Sequence, residues 1–235
     1  MSISAAPLLA HPLVLVGTTV GAFQLGTLLY ERSGRLAILQ PVLIAILAMV
    51  AFLAVTGMPY ATYLEGTTML HLLIAPAIVA LAVPLHDNLR KARAALPALL
   101  ATLAIGGTGI VLSALAIGFA FGLDHAMLVS LATKSVSAPI ALGVAERIGG
   151  DPALTVLSVF VTGILGVIVT PALLRLLRVE DEAIRGFTLG VAAHAFGIAR
   201  ALEIGPKAAA FATLGMGLMG CAIAFLVPLA FVAFG

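Results

Sequence analysis

Two short stretches of the chain place cationic side chains among apolar residues. The first is Lys134-Ser135-Val136-Ser137-Ala138-Pro139, in which an ammonium group and two hydroxyls precede a proline. The second, residues 194–203, contains His194, Arg200 and Glu203. Ammonium, guanidinium and hydroxyl groups donate hydrogen bonds to carboxylates, and an imidazole exchanges a proton near neutral pH. These residue types predict a site for a small organic anion, with His194 carrying a coupled proton.

In the first stretch, the proline prevents a continuous helix. Pro139 lacks a backbone donor and its ring crowds the preceding turn. The backbone N–H groups that such a break releases add hydrogen-bond donors for an anion. The alternative is that Lys134 extends its side chain to the membrane surface from a kinked helix. Residues 125–145 hold no other Asp, Glu, Lys or Arg, so the side chain would have a long way to reach. We therefore assign Lys134, Ser135 and Ser137 to substrate binding and Pro139 to structural support.

In the second stretch, the spacing of the polar residues leaves two interpretations. Arg200 and Glu203 stand three residues apart, the separation at which helical side chains pair, and Gly197 predicts a break in the helix. On the functional interpretation, His194 and Arg200 bind substrate, while Gly197 and Glu203 serve coupling or structural support. On the competing interpretation, this is an interfacial helix whose Arg200 and Glu203 face water.

Composition identifies the elements that hold these residues. Of the 235 residues, 62% are hydrophobic and only 9% are charged, with a mean hydropathy of +1.22. A soluble domain is about 45–50% apolar and about 25% charged, so the chain is predicted to be a multi-pass membrane protein. With 12 basic against 10 acidic residues, the net charge is only +2, which argues against nucleic-acid binding. Since the sequence carries no catalytic, metal-binding or cofactor motif, we expect a non-enzymatic protein without a metal or cofactor.

Helix lengths give the predicted fold class. A transmembrane helix needs about 20 apolar residues. The stretches that meet this length, six in all, are residues 7–30, 36–57, 66–85, 94–123, 152–174 and 208–234. Residues 126–148 and 186–204 are apolar but interrupted, and such breaks are tolerated only where protein or water surrounds them. The prediction is therefore an all-α membrane protein in a single domain, 1–235, with six full transmembrane helices and two broken or re-entrant segments.

The placement of basic residues favours the re-entrant interpretation of both interrupted segments. Cytoplasmic loops are enriched in Lys and Arg. If residues 126–148 and 186–204 each return to the face they entered, every Lys and Arg except Lys134, Arg147 and Arg200 lies on the cytoplasmic side. If residues 126–148 cross fully instead, the basic cluster within 175–185 moves outside. The pattern thus predicts re-entrant segments, with both chain ends outside and Arg147 as the external cation.

Residues 76–82 and 139–145 suggest an internal repeat. Both begin with proline and continue with small and branched residues in the same order, and each is followed by Pro-Ala-Leu, at 97–99 and 152–154. Repeats with interrupted helices are typical of transporters, where half-helix ends meet near the membrane midplane. We therefore predict an internal, inverted repeat in which Pro76 supports the site as Pro139 does. The alternative is a pair of ordinary proline kinks with a chance similarity.

The sequence resembles the LrgB/CidB family. The resemblance covers about residues 10–233 and rests on motifs in the family's order: Tyr63-Leu64-Glu65-Gly66, residues 76–85, residues 134–141 and residues 194–203. It places Tyr63 and Pro76 in supporting positions. The other motif positions that the resemblance implies are Lys134, Ser135, Ser137, His194, Gly197, Arg200 and Glu203.

The resemblance implies two classes of function. The family was named for a proposed holin and antiholin system that modulates murein hydrolase activity and autolysis, whereas other members carry small monocarboxylates. The main expectation is a transporter of glycolate, lactate, pyruvate or glycerate that works by alternating access in the bacterial inner membrane. The alternative is a membrane regulator of murein hydrolase activity. For both we expect an LrgA/CidA-type membrane partner, and we expect a homo-oligomer.

Overall fold

The structure is a computed structural model that describes residues 6–80 and 82–234. Every regular element in those two ranges is helical, which confirms the predicted all-α class. The chain divides into two compact units, unit 1 (Met1–Ala80) and unit 2 (Leu81–Gly235). This division concerns compactness alone, so the single domain over residues 1–235 stays a prediction.

Unit 1 contains two longer helices that pack closely. Its helices are α1 (Ala6–Leu9), α2 (Pro12–Arg32), α3 (Pro41–Thr56), α4 (Tyr60–Gly66), α5 (Thr68–Leu72) and α6 (Ile74–Ala80). A Cβ added at Gly26 of α2 would lie 2.7 Å from the carbonyl oxygen of Pro41, so only glycine permits this approach. α3 is shorter than the predicted span 36–57, because a 3-10 turn precedes Pro41 and left-handed Gly57 ends the helix.

The predicted full span over residues 66–85 is wrong. Those positions contain the short helices α5 and α6, followed in unit 2 by α7 (Ala82–Asp87), while Leu81 of the predicted repeat lies outside the described residues. The break at Leu73 has a local cause. Pro76 has no N–H to donate to the carbonyl of Leu72, and its ring crowds that turn. At the same point the chain makes a tighter turn, in which the N–H of Leu73 donates to the Leu70 carbonyl at 3.2 Å.

Unit 2 holds the remaining helices. They are α7, α8 (Leu89–Thr102), α9 (Thr108–Ala120), α10 (His125–Ala132), α11 (Ala138–Ala145), α12 (Pro152–Leu176), α13 (Glu182–Ile204) and α14 (Pro206–Phe234). A π-helical stretch, Leu103–Gly107, joins α8 to α9 without a gap, so the two form one long helix. Prolines occupy the first turns of α12 and α14, where a missing N–H costs no helical hydrogen bond.

Several of these helices have the length and apolar character of a membrane span. Among the described residues they are Pro12–Arg32, Leu89–Ala120, Pro152–Leu176, Glu182–Ile204 and Pro206–Phe231. All but Glu182–Ile204 correspond to predicted spans. The chain is therefore a multi-pass membrane protein.

Residues 125–148 form a helical hairpin, which we call hairpin A. Its arms are α10 and α11, and a 3-10 turn, Glu146–Ile148, completes the second arm. Nε2 of His125, at the start of the first arm, lies 3.2 Å from the carbonyl oxygen of Ile148 at the end of the second. Ser130 then accepts a hydrogen bond from the N–H of Asp151 at 3.0 Å. Since its ends meet, the segment has the hairpin course that a re-entrant segment requires, and its return to one membrane face stays a prediction.

α13 is a second hairpin, hairpin B, although its length would suffice to cross a membrane. Its backbone leaves the helical region at His194, with φ 42° and ψ −122°. Beyond this point the chain folds back: a Cβ added at Gly197 would lie 2.5 Å from the carbonyl carbon of Leu189, which precedes the bend. The break is thus real, but it lies at His194 rather than at Gly197.

An ion pair closes the base of hairpin B. Asp181, just before the first arm, accepts a hydrogen bond from Lys207 Nζ at 3.0 Å, and Lys207 follows the second arm directly. This bond, together with the N–H groups of Ile184 and Ala183 that Asp181 caps, lowers the pKa of the Asp181 carboxyl. The stabilisation is therefore complete above the ordinary aspartate pKa and is lost as the pH falls through the lowered value.

The two hairpins open toward opposite ends of α12. Hairpin A immediately precedes Pro152, the first residue of α12, and hairpin B follows soon after its last residue, Leu176. The 25 residues of α12 span about 37 Å at 1.5 Å per residue. Each hairpin is followed by a long helix that begins with proline, so residues 125–176 and 182–234 form inverted versions of one arrangement. The repeat predicted between residues 76–82 and 139–145 stays a prediction.

The charges at the two hairpin bases yield a topology prediction. Basic residues cluster at the base of hairpin B, whereas Arg147 is exposed at the base of hairpin A. The positive-inside rule predicts that the base of hairpin B is cytoplasmic. In a background lacking the exposed Cys221, we expect a cysteine at Arg147 to react with an impermeant maleimide from outside intact cells. A cysteine at Arg178 should react only after permeabilisation, and reaction of both from one side would contradict this topology.

Candidate functional site

The tip of hairpin A holds the cation–hydroxyl motif. Residues 133–137 are not helical, and within them Lys134 is half-buried while Ser135 is 2% exposed. The ammonium of Lys134 donates to the Ser135 hydroxyl across 3.3 Å. No carboxylate of the described chain forms a salt bridge with Lys134. A cation thus lies among apolar walls with a single neutral side-chain acceptor.

The second half of the tip turns the chain into α11. Ser137 is the N-cap residue, extended at φ −66° and ψ 148°, and Pro139 lies in the first turn of the helix. Proline disfavours a helical conformation in the preceding residue, which explains why the helix restarts here rather than continuing from α10. The Ser137 side chain caps none of the first-turn N–H groups within the described hydrogen bonds. The first turn of α11 therefore begins without a side-chain cap from Ser137.

Hydroxyl groups behind the tip connect hairpin A to α12. Ser130 donates to the carbonyl of Ala126 at 2.7 Å, and Thr133 donates to the carbonyl of Ser130 at 3.1 Å. From α12, Ser158 also donates to the Ser130 carbonyl, at 3.1 Å. The sequence prediction missed these residues, although Ser130 of α10 and Thr133, the residue that follows α10, stand three positions apart. They fix the orientation of the segment that carries Lys134.

His194 forms the tip of hairpin B and is 2% exposed. Its Nε2 lies 3.1 Å from the carbonyl oxygen of Val159 in α12. Because a carbonyl only accepts, Nε2 carries a proton in this bond, and Nδ1 is the nitrogen that gains or loses one. The ring also contacts Phe196 edge-on, with centroids 5.7 Å apart. It packs over Gly163, where an added Cβ would lie 2.8 Å from the imidazole carbon Cε1.

Apolar residues near both tips belong to one buried core. Val136 from hairpin A, Val159 from α12 and Val191 from hairpin B are members of the same hydrophobic cluster in unit 2. Both hairpins also bond to adjacent residues of α12, hairpin A through Ser130 and hairpin B through His194. Residues near the two tips therefore lie in one core, between the two ends of α12.

Arg200 lies elsewhere. Its guanidinium pairs with the carboxylate of Glu203, as the three-residue spacing predicts. It also lines a cavity at the base of hairpin B with Arg175 and Arg178. Lys134 instead lines an apolar cavity that includes Phe121, so none of the described cavities holds both cations. Lys134 and Arg200 thus line separate cavities among the described residues, and the assignment of both to substrate binding stays a prediction.

The supporting residues of unit 1 make local contacts. The hydroxyl of Tyr63 is 3.1 Å from the hydroxyl of Thr19, which ties α4 to α2. Pro76 is exposed in the first turn of α6. No cluster of three or more His, Cys, Asp or Glu suited to a metal occurs within the described residues. The assignment of Tyr63 and Pro76 to a functional site stays a prediction.

Comparisons with known proteins identify the family. The chain matches the model of the LrgB-like family over residues 19–233. It is 34% identical over 217 residues to the uncharacterized protein YxaC of Bacillus subtilis, covering 92% of this chain and 94% of that protein.

Two further relatives have functional names. Holin-like protein CidB of Staphylococcus epidermidis is 32% identical over 200 residues, 84% of this chain and 86% of the relative. Antiholin-like protein LrgB of Bacillus cereus is 28% identical over 208 residues, 88% and 90% of the two chains. No solved structure matches the chain. With a family match that extends from α2 to α14, the chain belongs to the LrgB-like family.

Proposed function

We propose that unit 2 carries a small monocarboxylate across the membrane by alternating access, with hairpins A and B as its gates. The observation that supports this function is the opposed arrangement of the hairpins. They open toward opposite ends of α12, and residues near their tips share one core. Each gate can then open to one side of the membrane while the other stays closed.

Lys134 and Ser135 are the anchoring groups for the carboxylate. A charged side chain within a membrane is costly unless it has a partner, and no described carboxylate forms a salt bridge with Lys134. A substrate carboxylate would supply the missing negative charge and accept from the ammonium and the Ser135 hydroxyl. Ser137 and the first turn of α11 would add donors on the same side.

His194 is the proton-coupling group in this proposal. Its Nε2 is held by the Val159 carbonyl, so proton uptake occurs at Nδ1. Protonation adds a positive charge at the tip of hairpin B and favours an anionic substrate nearby. Arg200 and Glu203 stabilise the base of the hairpin, while Gly197 lets its arms pack closely.

Uptake by purified protein in liposomes tests this function. We expect accumulation of at least one radiolabelled acid among glycolate, lactate, pyruvate and glycerate. Lys134→Ala should reduce uptake about tenfold or more, because it removes a charge-assisted hydrogen bond. The control is Arg147→Ala, which removes an exposed positive charge outside the site. Uptake that is unchanged in Lys134→Ala would contradict the proposed site.

The relatives' names support a second function better than they support transport. The printed names are holin-like and antiholin-like proteins, and neither describes a transporter or an enzyme. On this alternative, the chain regulates murein hydrolase activity and autolysis in a bacterial cytoplasmic membrane together with an LrgA/CidA-type partner. The discriminating result is a change in autolysis on deletion of the gene while no acid moves in liposomes, with or without the partner.

A further inference from the structure

The base of hairpin B contains a basic cavity that the transport mechanism does not use. Its volume is about 370 Å³. The described wall includes four arginines, which come from the end of α12, the turn that follows it and the two arms of hairpin B. These residues are Arg175, Arg178, Arg185 and Arg200.

The charges of the cavity are not balanced by its own carboxylates. Glu180 lines the wall, and Glu203 pairs with Arg200. The neighbouring Asp181 is engaged by Lys207 and caps α13. The guanidinium groups thus exceed the carboxylates by about two charges, more than a monocarboxylate neutralises. A phosphate monoester or diphosphate carries a comparable negative charge near neutral pH.

Arg178 adds an independent sign of function. It follows the C-cap of α12 in a left-handed conformation, with φ 54°. Its N–H bonds to the Arg175 carbonyl at 3.1 Å and that of Val179 bonds to the Leu174 carbonyl at 2.9 Å, the Schellman pattern in which glycine is usual at this position. A strained arginine where glycine would suffice points to a role for its side chain.

We propose that this cavity binds a phosphate-bearing anion. Guanidinium forks pair with phosphate oxygens through two parallel hydrogen bonds, and arginines from several directions suit a tetrahedral anion. Such a ligand would join the end of α12 to both arms of hairpin B and hold the hairpin closed at its base. The proposal does not depend on transport, because it concerns binding at a site separate from Lys134.

The phosphate has two sources, and the test separates them. Pyrophosphate in solution is one probe; nanodiscs of phosphatidylcholine with or without phosphatidic acid, a lipid phosphate monoester, provide the lipid arm. We expect pyrophosphate to bind saturably by calorimetry and to raise the Tm, whereas chloride at equal ionic strength does not. Competition by phosphatidic acid indicates a lipid headgroup, and its absence indicates a soluble ligand. Failure of both probes to bind saturably overturns the proposal.

Arg178→Gly is the decisive variant. Glycine relieves the left-handed conformation, so the ligand-free Tm should be unchanged or higher, while the affinity for the probe should fall about tenfold or more with the loss of a guanidinium contact. Arg185→Ala should weaken binding similarly. Arg93→Ala, which removes an exposed arginine that does not line the cavity, is the control and should retain wild-type affinity. Unchanged affinity in both cavity variants overturns the site.

Discussion

Replacing Gly197 with alanine is expected to prevent hairpin B from closing. The added Cβ would lie 2.5 Å from the carbonyl carbon of Leu189 and closer still to its oxygen, whereas ordinary contact begins at 3.4 Å. Backbone atoms cannot rotate away as a side chain does, so the arms must separate. Overpacking of this kind costs about 3 kcal/mol or more. We expect a large loss of folded protein, seen as a lower Tm in detergent and reduced yield.

Gly217→Ala provides the matched control. Gly217 is an exposed residue of α14, and a Cβ placed there meets nothing within 4 Å. Because alanine is the better helix former by about 0.5–1 kcal/mol, this variant should be as stable as the wild type or slightly more so. If Gly197→Ala were equally stable, the close approach of the two arms would be wrong.

Glycine positions show how far the sequence predicts packing. The sequence identifies helix faces with small residues, but it does not say which faces meet protein and which meet lipid. In unit 2, Gly186 and Gly190 approach the backbone of Ala208 and Ala212, with an added Cβ at 2.7 Å from each carbonyl carbon, whereas Gly106 has no such neighbour within 4 Å. The sequence analysis did not single out Gly186 or Gly190.

Loop charge predicts that both interrupted segments are re-entrant, and both are hairpins in the structure. The position of the bend in hairpin B was not predictable. Glycine is the usual residue in a left-handed conformation, so the sequence favoured Gly197, yet the neighbours of His194 impose the bend there. The imidazole is held by a hydrogen bond to the Val159 carbonyl and by its contact with Phe196. The bond to Val159 joins segments that are distant in the sequence, so it leaves no local pattern.

The separation of Lys134 and Arg200 between two cavities has a related reason. Both are cations in interrupted apolar segments, and hydropathy places both at similar depth. Depth in a hairpin depends on distance from the bend, however, and Arg200 lies six residues beyond His194 on the arm that returns to the basic cavity. Lys134 and Ser135, by contrast, are adjacent in the chain, so their proximity does not depend on where a hairpin bends. The ammonium nitrogen of Lys134 lies 3.3 Å from the Ser135 hydroxyl oxygen.

Replacing His194 should reverse the usual order of alanine and glycine stability. Its φ of 42° and ψ of −122° belong to the first central position of a type II′ turn, which glycine normally occupies. A side chain held there stores about 1–3 kcal/mol of strain. His194→Ala loses the bond to Val159 and the ring packing but retains the strain, so we expect a loss of about 3 kcal/mol or more. His194→Gly should be about 1–3 kcal/mol more stable than His194→Ala.

The neighbouring residue supplies the control for this comparison. Ala195→Gly, at an exposed position of the same element, should lose about 0.5–1 kcal/mol, the ordinary direction. Unfolding in detergent measures all three variants, and His194→Gly that is less stable than His194→Ala would show that the bend is not strained. Because His194→Gly keeps the bend without an imidazole, it also distinguishes a loss of proton coupling from a loss of folded structure. If Nδ1 carries the coupled proton, this folded variant should lose the response of uptake to a proton gradient.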